Sequence, residues 1–583
     1  MLSVIPQWPQ ELAILLVCLA TLVVGAVGFR LSHSTSDFYV ASRAVSPTMN
    51  ASAIGGEYLS AASFLGVAGL VLAYGADMLW YPVGYTAGYI VLLALVAAPL
   101  RRSGAYTLPD FAEIRLQSRA VRHTASVLVV GIGWLYLLPQ FQGAGLALRT
   151  VTGAPEWVGT ALVASIVVLN VASGGMRSIT FVQAFQYWLK LTAISLPVIF
   201  LLLAWQSDGG PDPARAGLPT TRTATSTVLP SRVKITVDRP VTLTVHGRVD
   251  GERVDGEIHL VPGEAVLSSG TTVTMAAGTV VPHATALHPL DGDAWVTPGN
   301  RARDYSAYRI YSLLLGLLFG TMGLPHVLVR FYTNPDGRAA RRTTLVVVAL
   351  LGVFYLFPPI YGMLGRLYTP DLLLMGRPDA VVLFLPGRLL AEPWASLVTA
   401  LVTAGAFAAF LSTSSGLTVS VAGVLNQDVL RGRIRASVGG FRLAALMAVC
   451  VPALLSLGTM RLTLADTVSL AFAVAASTFC PMLLLGIWWR PLTARGAMAG
   501  LLTGGILATA AVVATMVIGP TTGLFGALMA QPAAWTVPLA FTAAISVSLA
   551  TRRGAARTAT PIMVRLHTPE DLDLDRGAGP RRR

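Results

Sequence analysis

The sequence predicts an all-α polytopic membrane protein, and three observations carry that prediction. Hydrophobic residues make up 54% of the 583 positions and charged residues only 12%, about half the share a soluble surface uses. The 28 acidic residues are unevenly spread: eleven fall between Gln206 and Tyr305 and four between Thr551 and Arg583, which leaves thirteen for the remainder. Apolar runs long enough to cross a hydrocarbon core of ~30 Å, about twenty residues each, occur thirteen times.

These segments lie near 10–29, 48–73, 78–100, 123–149, 156–174, 180–205, 306–331, 343–365, 393–425, 440–460, 466–490, 496–519 and 531–551. Odd parity puts the termini on opposite sides of the membrane. One set of short connections is rich in arginine, with Arg30, Arg43, Arg101, Arg102, Arg115, Arg119, Arg122, Arg338, Arg341, Arg342, Arg431, Arg433, Arg435 and Arg490 among its members. The opposite set holds only Arg149, Arg366, Arg377, Arg388 and Arg461. The positive-inside rule makes the first set cytoplasmic, the amino terminus external and the carboxyl terminus internal.

Residues 206–305 are of another kind. Runs such as RVKITV, VTLTV, GEIHLV and TTVTM alternate apolar and polar residues, and Asp250-Gly251 and Asp255-Gly256 read as turns between them. A small β-rich module over about 230–286 on the outer face is expected, as a passive insertion. The tail 552–583 ends in PRRR, has almost no aromatic residues and reads as disordered.

The same patterns exclude other classes. A net charge of +14 and a pI near 10.1 would suggest nucleic acid in a soluble protein, but here the arginines end apolar segments. The three cysteines, Cys18, Cys450 and Cys480, lie singly inside apolar segments and form neither a disulfide framework nor a metal motif. The first ten residues lack the basic region of a signal peptide. The few intramembrane acids, histidines and cysteines make no catalytic constellation. The expectation is therefore a non-enzyme with no organic cofactor, nucleic acid or obligate protein partner, surrounded by lipid.

Exposed backbone polar groups are tolerated at membrane depth only where they line a cavity. Two segments look breakable there. The second holds GGEYLSAASFLG (Gly55–Gly66) and the seventh GTMGLPHVLVRF (Gly320–Phe331). They open two blocks of five segments, 48–205 and 306–490, and run in opposite directions across the membrane. Interrupted helices at matching places in opposed halves point to a secondary transporter with inverted repeats and a midplane site. The ninth segment adds a hydroxyl cluster, AAFLSTSSGLT, with Ser412, Thr413, Ser414 and Ser415. Such hydroxyls bond their own helix or mediate packing, or supply hard oxygen ligands to an alkali cation.

GEYLSAASFLG, GLPHVLVRF and WWRPLTARGAMAG (Trp488–Gly500) together resemble signatures of the sodium/solute symporter family, most closely its cation/acetate symporter branch. The resemblance runs from about Asp37 to Thr551. It implies a LeuT-like core of five plus five helices, with residues 1–47 adding an extra helix and loop before it and 491–551 two helices after. It also implies a sodium site made by the carbonyls of Gly56, Leu59 and Ala409 and the hydroxyls of Ser412 and Thr413. The implied substrate, acetate or a related short monocarboxylate, would lie near Glu57, Tyr58, Ser60, Thr321, Gly323 and Pro325.

Three charged or titratable residues stand out. A carboxylate beside an anionic substrate repels it unless protonated or paired, so Glu57 is read as holding the cation, carrying a coupling proton or, first, capping a half-helix N-terminus. Lys190 lies ten residues into the sixth segment, about 15 Å along a helix, where charges are functional candidates. Its ammonium could pair with the substrate carboxylate, take the place of sodium, or sit in a hydrated cavity with no role. His326 is read as a packing residue or a proton relay. The expected function is sodium-coupled uptake of a short monocarboxylate across the plasma membrane by alternating access. Proton coupling through Lys190 or Glu57 is the alternative, and a receptor sensing through the insertion is the second.

Overall fold

The computed structural model describes residues 8–30, 45–214, 217–299, 305–429, 438–458, 463–518, 523–551 and 555–569. Among them, eleven helical stretches are long and apolar enough to cross a membrane. Two of the eleven each contain two of the expected segments. Ala62–Leu95 turns at the 3₁₀ stretch Gly75–Leu79, and Glu156–Ser207 is broken at Gly175, whose φ of 59° and ψ of −159° are not helical.

The helices used below are α1 (Trp8–Arg30), α2 (Pro47–Tyr58), α3 (Val67–Tyr74), α4 (Trp80–Leu95), α5 (Leu108–Leu116), α6 (Arg119–Thr152) and α7 (Glu156–Ser207). After the insertion come α8 (Gly292–Val296), α9 (Ser306–Gly323), α10 (Pro325–Val329), α11 (Gly337–Phe354), α12 (Pro358–Tyr368) and α13 (Trp394–Val424). The chain continues through α14 (Val438–Ser456), α15 (Leu464–Trp488), α16 (Ala494–Ile518), α17 (Ala533–Ala550) and α18 (Ala555–His567).

Both interruptions fall inside the glycine-containing motifs. α2 starts with Ser46 accepting from Met49 N and Pro47 in the first turn, a favourable N-terminus. It ends at Tyr58, and the chain resumes as a π-helical turn over Ala62–Gly66 before α3. α9 ends at Gly323, Leu324 is extended (φ −73°, ψ 115°), and Pro325 starts α10. Proline suits that place because it lacks the N–H that a first helical position would leave unpaired.

Packing sets the two interrupted motifs against long helices. α2 lies on α7, α9 on α4 and α15, and α13 on α7 and α6. Glycines permit the closest approaches: a Cβ on Gly56 would lie 2.2 Å from Gln183 O, and one on Gly323 2.3 Å from Ala475 O. Backbone on backbone at these depths brings carbonyls and short polar side chains into contact.

The insertion is an antiparallel sheet of seven strands: β1 (Thr225–Val228), β2 (Val233–Val237), β3 (Val241–Val249), β4 (Glu252–Leu260), β5 (Gly263–Leu267), β6 (Thr272–Met275) and β7 (His283–Ala284). Their order is β1-β6-β3-β5-β2-β7, with β4 on β3. Alternation places Ile235, Leu243, Val245, Leu267 and Val273 inside. Asp250 and Gly251, with φ of 52° and 93°, make the two-residue turn of the β3–β4 hairpin. Asp255-Gly256 corrects the second expected turn, because both residues are paired inside β4. Only three residues separate the two Asp-Gly pairs, too few for a strand between two turns.

The tail is also corrected in part. Residues 552–583 were expected to be disordered, yet Ala555–His567 is helical. Ile562, Met563 and Leu566 form one apolar face of it, and Leu566 is fully buried. Arg565 Nε donates to Arg102 O (3.1 Å), and the His567 ring lies 4.9 Å from that of Trp488. Residues 570–583, and Arg43, Arg431, Arg433, Arg435 and Arg461 of the charge asymmetry, lie outside the described residues.

Candidate cation and substrate sites at the helix breaks

Unwinding the end of α2 frees backbone groups that the helix would have paired, and each finds a buried side chain. Lys190, from α7, directs its ammonium into the break. Its Nζ donates to Gly56 O, to Leu59 O at 2.7 Å and to Ser412 Oγ at 2.9 Å. Ala61 N donates to Gln140 Oε1 (3.0 Å) from α6. Lys190, Gln140 and Ser412 are all fully buried.

The five residues implied as cation ligands divide into two groups. Gly56, Leu59 and Ser412 meet the ammonium directly. Ala409 O accepts the Ser412 hydroxyl (3.1 Å), and Thr413 Oγ1 donates to Glu57 O (2.7 Å), stitching α13 to α2. Gln183 Nε2 donates to Ser412 O (2.8 Å) and completes the shell. An ammonium has three donors and no acceptor, and Lys190 has three oxygen partners. Its ammonium lies where these three oxygens converge.

Glu57 caps no helix end, which corrects the first reading of that residue. Its Oε2 accepts from Arg330 Nε (2.7 Å), and both side chains are about 1–2% exposed. Arg330 also donates to Thr180 Oγ1 (2.8 Å) and to Gln183 Oε1, while Asn50 Nδ2 donates to Arg330 O (3.1 Å). The pair ties the first broken helix to the chain just beyond the second. It is neutral overall and fully desolvated, so breaking it from one side strands a buried charge. Gln183 bonds both this pair and Ser412, so it links the ion pair to the Lys190 site.

The remaining substrate candidates surround the break on the other side. Tyr58 Oη contacts Thr321 Oγ1 (2.9 Å) and Tyr85 O (3.2 Å), which joins the two broken helices through α4. Ser60 is buried in the break. Gly323 and Pro325 shape the second break, and His326 sets its ring 5.1 Å from that of Tyr136. Around them the structure assembles a cluster that sequence reasoning missed. Tyr58 lies 4.8 Å from Tyr89 and 5.8 Å from Tyr85, while Tyr85 stacks on Tyr355 (5.8 Å) and meets Phe472 edge-on (5.2 Å). Ser63 Oγ bonds Tyr355 Oη at 2.8 Å.

Buried polar atoms ordinarily have partners. Here, among the described residues, Tyr85 Oη, Tyr89 Oη and both ring nitrogens of His326 have no hydrogen-bond partner. They come from α4 and α10 and border one aromatic-walled region. These are neutral donors beside a neutralised acid, a chemistry that suits a small anion with a short apolar tail. Nothing marked the tyrosines in the sequence, where aromatic residues in apolar helices read as packing. Gln140 and Gln183 carried a signal, as amides inside apolar segments.

A small pocket lies on the arginine-rich side, lined by Tyr106, Thr107, Pro325, Val329, Ser420 and Gly423 among others. It approaches the second break along α10 and α13.

The comparisons agree with this architecture. A sequence model described as the sodium:solute symporter family matches residues 38–210 and 260–504. The chain is 29% identical over 541 residues to the monocarboxylic acid transporter of Corynebacterium glutamicum, covering 91% of this chain and 87% of that protein. It is 27% identical over 496 residues to the uncharacterized symporter YwcA of Bacillus subtilis, covering 84% and 82% respectively. Among solved structures, a Na+-coupled sialic acid symporter in a substrate-bound outward-open state matches with a TM-score of 0.59 at 13% identity, over 92% of this chain and 98% of that one. Mhp1, a nucleobase-cation-symport-1 family transporter, matches in a closed conformation with a TM-score of 0.50 at 12% identity, over 91% and 99%. These two likenesses establish the fold, that of a helical polytopic membrane transporter.

Proposed function

The chain belongs to the sodium:solute symporter family and is a secondary active symporter of the membrane, and from that premise we propose that it takes up a short monocarboxylate together with a proton. The family membership sets the receptor reading aside. The observation that carries the proposal is the Lys190 ammonium on Gly56 O, Leu59 O and Ser412 Oγ. Sodium cannot share those oxygens with it. A protonated Lys190 ties the α2 break to α13 as a bound sodium ion would, and loss of the proton removes one donor and the charge.

The monocarboxylate half of the proposal rests on two supports. The Corynebacterium relative is a monocarboxylic acid transporter. The unpartnered groups of Tyr85, Tyr89 and His326 would supply hydrogen bonds to a carboxylate, and Arg330 neutralises Glu57 beside them. The reading includes thirteen crossings, a five-plus-five inverted repeat, and the plasma membrane with the amino terminus and insertion outside. One proton with one monoanion is electroneutral, so the membrane potential adds nothing. A gradient of one pH unit supplies about 1.4 kcal/mol, enough for about tenfold accumulation.

Sodium coupling is the second reading, favoured by the oxygen atoms that Gly56, Leu59 and Ser412 place around the same point. It requires Lys190 to withdraw. Uptake of labelled pyruvate into proteoliposomes, with protein-free vesicles subtracted, separates the two. An inward pH gradient without sodium should drive accumulation, and a sodium gradient at equal pH should not. The reverse result would establish sodium as the coupling ion.

A further inference from the structure

The returning strand of the insertion is fastened to the outer half of the first broken helix. A helix leaves its last four carbonyls without internal partners, and in α3 these face residues of the insertion. Trp295 Nε1 donates to Val71 O at 2.8 Å and to Leu72 O at 3.2 Å. Leu290 N donates to Ala73 O at 3.2 Å, and Gly299 N donates to Asp77 Oδ1 in the following turn. Gly75 makes this approach possible: its φ is +68°, and a Cβ there would lie 1.8 Å from Trp295 O.

α12 grips the same helix from a second side. A Cβ on Gly362 would lie 2.5 Å from Ala68 O, and one on Gly365 2.8 Å from Leu72 Cδ1. Arg366 then closes the arrangement. It is 1% exposed, its guanidinium carbon lies 4.9 Å from the centre of the Trp295 ring, and its Nη2 donates to Leu290 O (2.9 Å) and Gly217 O (2.7 Å). A desolvated cation over indole is among the stronger contacts of its kind. One tryptophan of the insertion is thus held between α3 and α12, which pack on each other. Residues 211–259, most of the sheet, fall outside the family match.

We propose that the insertion is a clamp on the outer gate: Trp295 locks α3 to α12, and opening of the site toward the insertion side requires its release. The sheet then sets how often that path opens. A passive appendage would leave the opening equilibrium untouched. The proposal rests on alternating access alone, whatever the coupling ion or substrate.

A thiol at the α3–α12 contact reads the opening directly. Leu72→Cys is fully buried there, and Cys480, also fully buried, serves as an internal control in a background of Cys18→Ser and Cys450→Ser. In nanodiscs, Trp295→Phe keeps the ring and removes the indole donor. It should speed maleimide labelling of the reporter about two- to tenfold, the equivalent of one hydrogen bond, and leave Cys480 unchanged. Arg366→Lys should act in the same direction, and it supplies the answer if Trp295→Phe yields no folded protein. An unchanged reporter rate, or equal acceleration at Cys480, would overturn the clamp.

Discussion

The two broken helices solve the same problem with opposite chemistry. At the first break the freed backbone groups are met by buried polar side chains: Lys190 takes the carbonyls of Gly56 and Leu59, and Gln140 takes Ala61 N. At the second, Pro325 removes the N–H that would need a partner, and Gly320 and Gly323 close the gap against Phe472 and Ala475. The first break therefore binds positive charge. The second keeps His326 without hydrogen-bond partners and faces the tyrosines. In the proposed mechanism, this inequality separates a cation site from a substrate site.

Predictions that press on this difference range widely in size. The largest concerns the ion pair that joins the halves. Arg330→Met strands Glu57 in the interior and should cost about 3–5 kcal/mol of stability, read as a loss of thermal stability in detergent. Adding Glu57→Gln should recover more than half. A single variant as stable as the parent would mean that the pair does not hold the halves together.

The next prediction compares the breaks themselves. Gln140→Leu leaves Ala61 N unmet and should cost about 1–3 kcal/mol. Pro325→Ala restores the N–H that the second break leaves without a partner and should cost about 1–3 kcal/mol as well. No measurable loss in chemical unfolding for Pro325→Ala would mean that the proline does not spare the second break a partner. The smallest effect belongs to the substrate region. Tyr89→Phe removes one donor and should weaken substrate binding about two- to tenfold, with the half-saturating proton concentration unmoved. A shift in proton dependence instead would put Tyr89 in the cation site.

Much of this was legible in the sequence because local chemistry decided it. Glycines, hydroxyls and proline at mid-depth mark breaks, since few other residues tolerate them there. Lys190 stood out as a deep charge. Its destination did not, because Gly56 lies 134 positions away and only the α2–α7 packing brings the two together. Ser412 and Thr413 were expected to share a cation, but neighbouring helical residues point about 100° apart. Ser412 faces the ammonium, while Thr413 reaches across to Glu57 O. Trp295 is a single tryptophan in a polar stretch of sequence. Its partners are backbone carbonyls, which leave no trace in a sequence.

The central claim is that the Lys190 ammonium is the coupling cation. Its most direct test is accumulation of labelled pyruvate by proteoliposomes holding Lys190→Met, with exchange of external and internal substrate measured in parallel. Under an inward gradient of two pH units the parent should accumulate substrate about a hundredfold, at about 1.4 kcal/mol per unit. Lys190→Met should not accumulate it, yet should still exchange it. Accumulation by Lys190→Met equal to the parent's under the same pH gradient would contradict the assignment.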